Sequence, residues 1–181
     1  IERLSGLSLA VGVAVVEALA ACGVPDVQLK WPNDILYGDC KLGGILVEVQ
    51  SDPESAQAVI GIGLNLRRPP DFVAGPQALA PVALEDIVPQ LPGRNALLAA
   101  LLHALAGVFD AFADGGFAVL RSRWQTYHAW QERPVNMLRD GKVEVEGACL
   151  GADEDGALLV RTATGLERCL SGDLTLRPGA C

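Results

Sequence analysis

Methionine occurs once in this chain, at position 137, and histidine only twice, at 103 and 128. With no methionine at its head, Ile1 is not expected to be a translation start, and the numbering is expected to begin inside a longer protein or after processing. The five cysteines, Cys22, Cys40, Cys149, Cys169 and Cys181, are odd in number and contain no CxxC pair or metal-ligand spacing. That excludes a zinc cluster and a disulfide framework, and a reducing, cytoplasmic compartment is the simplest expectation. The histidines have no cysteine or carboxylate cluster around them, so both are expected to be structural or solvent-facing. A formal net charge of −8 lacks the basic footprint that nucleic-acid binding requires. The longest apolar run, Leu7 to Val24, is broken by Gly12 and Glu17 and has no basic segment before it, so it reads as a buried helix, neither a membrane span nor a secretory signal. No internal repeat or low-complexity tract is present.

What the chain does have is 50% hydrophobic residues over 181 positions, enough for one medium domain or a medium and a small one. Its densest information lies between Lys30 and Glu48, KWPNDILYGDCKLGGILVE. Two cations, an amide and a carboxylate stand there on short strands and a turn. Pro32 disfavours helix at Trp31 and ends the 27–31 strand in a turn, placing Asn33 and Asp34 at a strand end, where sites are usually built. On its own, Pro-Asn-Asp is ordinary turn chemistry. Combined with Lys30 and Lys41, the set suits ATP-dependent activation of a carboxylate, in which negative charge on the acid, the α-phosphate and the leaving pyrophosphate must be neutralised. Lysine supplies compact charge for phosphate oxygens. Asp34 suits Mg²⁺, which prefers few carboxylates and several waters, and Asn33 can orient a ribose, a phosphate or a metal-bound water.

Glycines mark the neighbouring strands. Gly43-Gly44 opens a strand running through Ile45, Leu46 and Glu48, which suggests a bulge or a ligand pressed against the backbone. In Val59 to Leu66, a period of two puts Ile60, Ile62, Leu64 and Leu66 on one face and Gly61, Gly63 and Asn65 on the other. One face is core and the other is a cleared floor that would take a flat apolar ring system; close packing of a helix on a glycine-bearing strand would use the same pattern. Gly61-Ile62-Gly63 is not a dinucleotide fingerprint, because no third glycine follows and Arg67-Arg68-Pro69-Pro70 forbids an immediate helix.

The pairing of KWPND with KLGGILVE resembles the signature of the biotin protein ligases, and both halves stand here without a substitution. The resemblance implies a mechanism in which biotin and Mg-ATP give biotinyl-5′-adenylate, from which biotin passes to a lysine of a biotin carboxyl carrier protein. It implies Lys41 as the central catalytic cation, and a biotin site of Lys41, Gly43, Gly44, Ile45, Leu46, Gly61 and Gly63. ATP would be met by Lys30, Trp31, Asn33, Asp34, Asn65, Arg67 and Arg68, with Asp34 and Asn65 holding Mg²⁺. The family's Gly-Arg-Gly-Arg-Arg-Gly loop and its upstream DNA-binding repressor domain have no counterpart here, so the chain resembles the second half of the catalytic domain with the C-terminal domain. A non-catalytic biotin- or adenylate-binding fragment, or a lipoate-type acyl-adenylate ligase, would share much of this pattern. A homodimer is a further expectation, since strands left exposed by a missing half-domain invite pairing.

The expected fold is α+β: a mixed sheet packed with helices, class II synthetase-like with its N-terminal part missing, over residues 1–132, then a small SH3-like β-barrel over 133–181. Helices are expected over 4–22, stopped by Gly23 and Pro25, then 95–113 and 117–130, with strands near 27–31, 42–50 and 57–66. The proline-bearing stretch 67–82 reads as an adenylate-binding lid, with Phe72 standing in for the family's adenine-packing tryptophan. Leu98, Leu102, Leu105, Phe109 and Phe112 recur at helical spacing and are expected to pack on the sheet. Leu120, Trp124 and Tyr127 are expected in the core. Beyond Pro134, turns at Asp140-Gly141, 153–156 and Thr164-Gly165 punctuate five short strands. Asp153-Glu154-Asp155 lacks the glycine and final glutamate of an EF-hand loop and reads as a solvated turn.

Overall fold

The computed structural model describes residues 4–51, 56–68, 79–170 and 174–179. The Phe72 expectation and most of the 67–82 lid lie outside them. The first helix, α1 (Leu7–Ala21), is built from alanine, valine and leucine, and nearly every residue from Leu7 to Leu19 is buried. A helix apolar on all sides has to be enclosed, and this one forms the centre of the core. It ends where Gly23 turns left-handed at φ 81° and the Val24 amide returns to the Leu19 carbonyl. Gly12 lets the sheet come close, since a Cβ there would sit 3.1 Å from both methyls of Leu29.

Four strands follow: β1 (Val27–Lys30), β2 (Asp34–Tyr37), β3 (Cys40–Ser51) and β4 (Ala56–Leu64). They pair in sequence order and are all antiparallel. The expected mixed sheet is therefore an antiparallel one, because every connection among these strands is a short reversal. Parallel contact is confined to single bridges, Leu29 with His128 and Lys41 with Pro81. The sequence reading also missed β2, which is only four residues long and was absorbed into the turn. The bulge suggested by Gly43-Gly44 is present: Ile35 pairs with Gly43 and Leu36 with Lys41, leaving Leu42 as the extra residue.

The second helix, α2 (Arg94–Gly115), lies along α1 and buries Leu97, Val108 and Phe112. The expected stripe holds only in part: Phe112 is buried and Leu105 packs against the core, but Leu98 and Leu102 remain more than half exposed and Phe109 over a third. Leucines and alanines surround this helix, so spacing alone does not select a face, and the partner is a helix. By length and composition Arg94–Val119 is apolar enough to cross a membrane, its most apolar 18-residue window having a mean hydropathy of 1.9. A 3₁₀ turn (Gly116–Val119) leads to α3 (Arg121–Tyr127), shorter than the expected 117–130 helix.

The remaining strands, β5 (Pro134–Arg139), β6 (Lys142–Ala152), β7 (Leu158–Arg161), β8 (Leu166–Cys169) and β9 (Leu174–Pro178), form an antiparallel sheet in the order β8-β7-β6-β5-β9. The turns fall where the sequence placed them; Asp140 and Gly141 both have positive φ, as a tight hairpin needs. In the 153–156 turn, Asp153 accepts from the amides of Asp155 and Ala157 and pairs with Arg168. The second sheet shares one apolar core with the first. Polar ties reinforce the join: the Trp31 indole donates to the Gly156 carbonyl at 2.9 Å, and Arg121 Nε donates to the Ala152 carbonyl at 2.6 Å. The four cysteines among the described residues are free, and two of them, Cys149 and Cys169, are buried in this join and in the second sheet.

His103 faces solvent on α2, whereas His128 is buried behind α3, stacked on Trp124 at 4.6 Å between ring centroids and 3.9 Å from the Cys149 sulfur. Burial, with a contribution from nearby Lys30, pushes the imidazole down from 6.5 to about 4. The native histidine stays neutral where the unfolded one is already protonated, so the unfolded chain binds the proton first and stability falls as pH drops from 6.5 towards 4. The loss amounts to about 3 kcal/mol over that window. Denaturant unfolding followed between pH 7 and 4 should show this slope in the native chain and a much shallower one in His128→Phe, which keeps the stacked ring but cannot titrate.

Candidate active site

One row of backbone crosses all four strands of the first sheet. Lys30 pairs with Asp34, Asp34 with Gly44 and Gly44 with Gly63. Cross-strand partners share a face, so the charged residues and two glycines of the motif stand side by side. Beside that row, Leu46 pairs with Gly61. Gly61 and Gly63 are open above: a Cβ on either meets nothing closer than 3.8 Å. Leu46, 60% exposed, rises from this floor as an apolar wall.

Gly43 and Ile45, expected on the same wall, point the other way. Ile45 is in the core, and a Cβ on Gly43 would meet the Gly63 carbonyl oxygen at 2.2 Å. Alternation along the strand forces this division, since residues 43 and 45 cannot share a face with 44 and 46. Gly43 is therefore a close-approach glycine of the β3–β4 pair, while Gly44, Gly61 and Gly63 keep a surface clear.

Asp34 is the charged centre. One carboxylate oxygen accepts from Lys30 Nζ at 2.8 Å and the other pairs with Lys41 Nζ. Burial alone would raise its pKa, but the two ammonium groups outweigh that and hold it below the usual carboxylate range. Lys41 is nearly half exposed and folds over Gly44, its Nζ 3.6 Å from where a Cβ on that glycine would be. Lys30 is only 3% exposed, and burial, partly offset by Asp34, lowers its pKa.

The backbone around these groups is pinned. Asn33 Nδ2 donates to the Ile45 carbonyl at 2.8 Å while the Ile45 amide donates to the Asn33 carbonyl, so the turn is locked to β3. Asn65 Nδ2 donates to the carbonyls of Lys41 and Val82, at 3.3 and 3.1 Å. The Lys41 amide donates to Ala80, and the Val82 amide to the Lys41 carbonyl. The segment returning after residue 78 is thus bonded on both sides of Lys41, a role with no local sequence signal.

Other expected contacts lie elsewhere. Trp31, expected to meet ATP, is fully buried and ties the two sheets together. Arg68, beyond the end of β4, is exposed but engaged: its guanidinium meets Asp86 at 3.0 Å and its amide the Glu85 carboxylate. Arg67 is exposed beside it. The sequence reading missed Trp130, which is buried with its ring 5.3 Å from Lys30 Nζ. The magnesium site expected at Asp34 and Asn65 does not fit the arrangement, because both Asp34 oxygens are taken by lysines.

Comparison with known proteins supplies the family of a chain with this glycine-cleared floor and carboxylate-held lysine. Residues 1–65 match the model of the biotin/lipoate A/B protein ligase family, and residues 132–177 that of the biotin protein ligase C terminal domain. The chain is 34% identical to the biotin--[acetyl-CoA-carboxylase] ligase of Paracoccus denitrificans, covering 88% of this chain and 68% of that protein. It is 35% identical to the bifunctional ligase/repressor BirA of Escherichia coli over 95% of this chain, but spans only 53% of that relative. Its structure superposes on the biotin protein ligase of Aquifex aeolicus solved with biotin and ATP, with a TM-score of 0.82 and 26% identity, over 99% of this chain and 74% of that one. The chain belongs to the biotin protein ligase family.

The two kinds of glycine can be told apart by stability. Gly43→Ala should lower the melting temperature markedly, since its methyl is driven into strand backbone, whereas Gly61→Ala and Gly63→Ala should melt within a few degrees of the native chain; thermal unfolding by circular dichroism measures both.

Proposed function

We propose that this chain carries the carboxylate-activating part of a biotin protein ligase, forming biotinyl-5′-adenylate from biotin and ATP and passing biotin to a lysine of a biotin carboxyl carrier protein. The observation that carries this reading is Lys41, held by Asp34 at the border of a floor cleared by Gly44, Gly61 and Gly63. The bicyclic head of biotin lies on those glycines against Leu46, with its carboxylate towards Lys41. ATP lies along the Asn33, Asp34 and Asn65 side, with Arg67 and Arg68 near its phosphates. The match to a biotin-specific C-terminal model favours biotin over lipoate.

In the first step a carboxylate oxygen of biotin attacks the α-phosphorus, the bond to the bridging oxygen breaks, and pyrophosphate leaves. Lys41 neutralises charge that gathers between the carboxylate and the α-phosphate in the transition state, where a cation is most productive. In the second step the carrier's lysine amine attacks the acyl carbon and AMP departs. Magnesium is expected to enter with the phosphates of ATP, not on a protein cage. We also read the chain as two domains, 1–132 and 133–181, the second a small SH3-like barrel whose β6–β7 turn braces the KWPND turn through Trp31 and Gly156.

The test is to incubate the purified chain with Mg²⁺, biotin and α-labelled ATP and separate the labelled products. Biotinyl-adenylate should form with the native chain and fall on the order of 10²- to 10³-fold with Lys41→Ala. Absence of the adenylate together with absence of biotin binding would overturn the reading. Gly61→Ala and Gly63→Ala, stable by thermal unfolding, should weaken biotin binding in calorimetry because each methyl occupies the floor.

A further inference from the structure

An ammonium group buried to 3% exposure is costly unless something requires it. Lys30 lies directly across the hairpin from Asp34, bonds one carboxylate oxygen at 2.8 Å and has the Trp130 ring on its other side at 5.3 Å. The second oxygen of the same carboxylate holds Lys41, which is the exposed member of the three. We propose that Lys30 is a positioning residue for the adenylation step: it touches no substrate and acts through Asp34, dividing that carboxylate's charge so that Lys41 is aimed over Gly44 without being neutralised.

The reasoning is electrostatic and geometric. A lone Asp34–Lys41 pair is neutral, and both carboxylate oxygens are free to rotate towards the one lysine, drawing it away from an anionic substrate. With Lys30 anchoring one oxygen from the buried side, the carboxylate cannot rotate, and two cations against one anion leave net positive charge at the surface, where only Lys41 is accessible. Trp130 closes the far side of Lys30 and keeps it from turning elsewhere. The lowered pKa of Asp34 agrees with a carboxylate shared between two ammonium groups.

This inference rests on Lys41 being the cation of the ligase reaction, so its test has one arm that needs activity and one that does not. Lys30→Met keeps the stem against Trp130 without the charge, and Lys30→Gln, a second variant should the first not fold, keeps a donor without the charge. In adenylate formation either variant should lower kcat on the order of 10- to 100-fold while KM for ATP stays unchanged. Adding Asp34→Asn to Lys30→Met should cost nothing beyond Asp34→Asn alone. By carboxyl NMR of aspartate-labelled chain, with no substrate present, the Asp34 titration should move up towards the ordinary carboxylate value in both Lys30 variants. A rise in KM for ATP at constant kcat, fully additive losses, or an unmoved Asp34 titration would each overturn the proposal. Should the native chain form no adenylate, the ligase reading of this chain fails, and the Asp34 titration still decides whether Lys30 acts through that carboxylate.

Discussion

A single carboxylate shared by two lysines, one sealed in the interior and one open to solvent, is the constraint around which the first sheet is arranged. Such a charge cluster is stable at the edge of a core only if its geometry is held by more than Coulomb attraction, because desolvation opposes every buried ion. The surroundings of Asp34 supply that rigidity. Asn33 stitches the turn to β3, the Leu42 bulge brings Lys41 onto the same face as Asp34 and Gly44, and Asn65 clasps the Lys41 and Val82 carbonyls. Each polar contact in this set is paired with backbone, so the side chains have little freedom to rearrange.

The same turn also joins the two halves of the molecule. Trp31, the residue between the buried lysine and Pro32, sends its indole nitrogen to the β6–β7 turn, and Trp130 covers Lys30 from the segment that leads into β5. Trp124 is stacked on His128 and edge-on to Phe117 at 6.2 Å. The segment between α3 and β5 bears directly on Lys30 through Trp130, a connection invisible from the spacing of the motif.

Much of the architecture was legible in residue patterns. Alternation in 57–66 separated a glycine face from an aliphatic one, and the strand shows that alternation; Asp-Gly at 140–141 announced a hairpin because positive φ is cheap there. The first helix was evident from its long apolar run. The reading faltered where a pattern fits two partners equally: α2 is apolar on most of its surface, and only its docking on α1 selected Leu97 and Val108 over Leu98 and Leu102. It faltered also for β2, too short to show a period.

The amino-acid sequence by itself determined the family, the identity of the charged and amide groups, and which glycines are available to clear a surface, because these depend on residue type and on a period-two backbone. The tertiary structure alone decided what each group is free to do. Lys30 and Lys41 are the same residue in similar motif halves, yet one is enclosed by Trp130 and the other lies open over Gly44. Gly43 and Gly44 are adjacent and chemically identical, yet strand pairing gives one to the backbone contact with Gly63 and the other to the floor. Burial and facing are properties of what packs against a residue, and those neighbours come from positions far away in the chain.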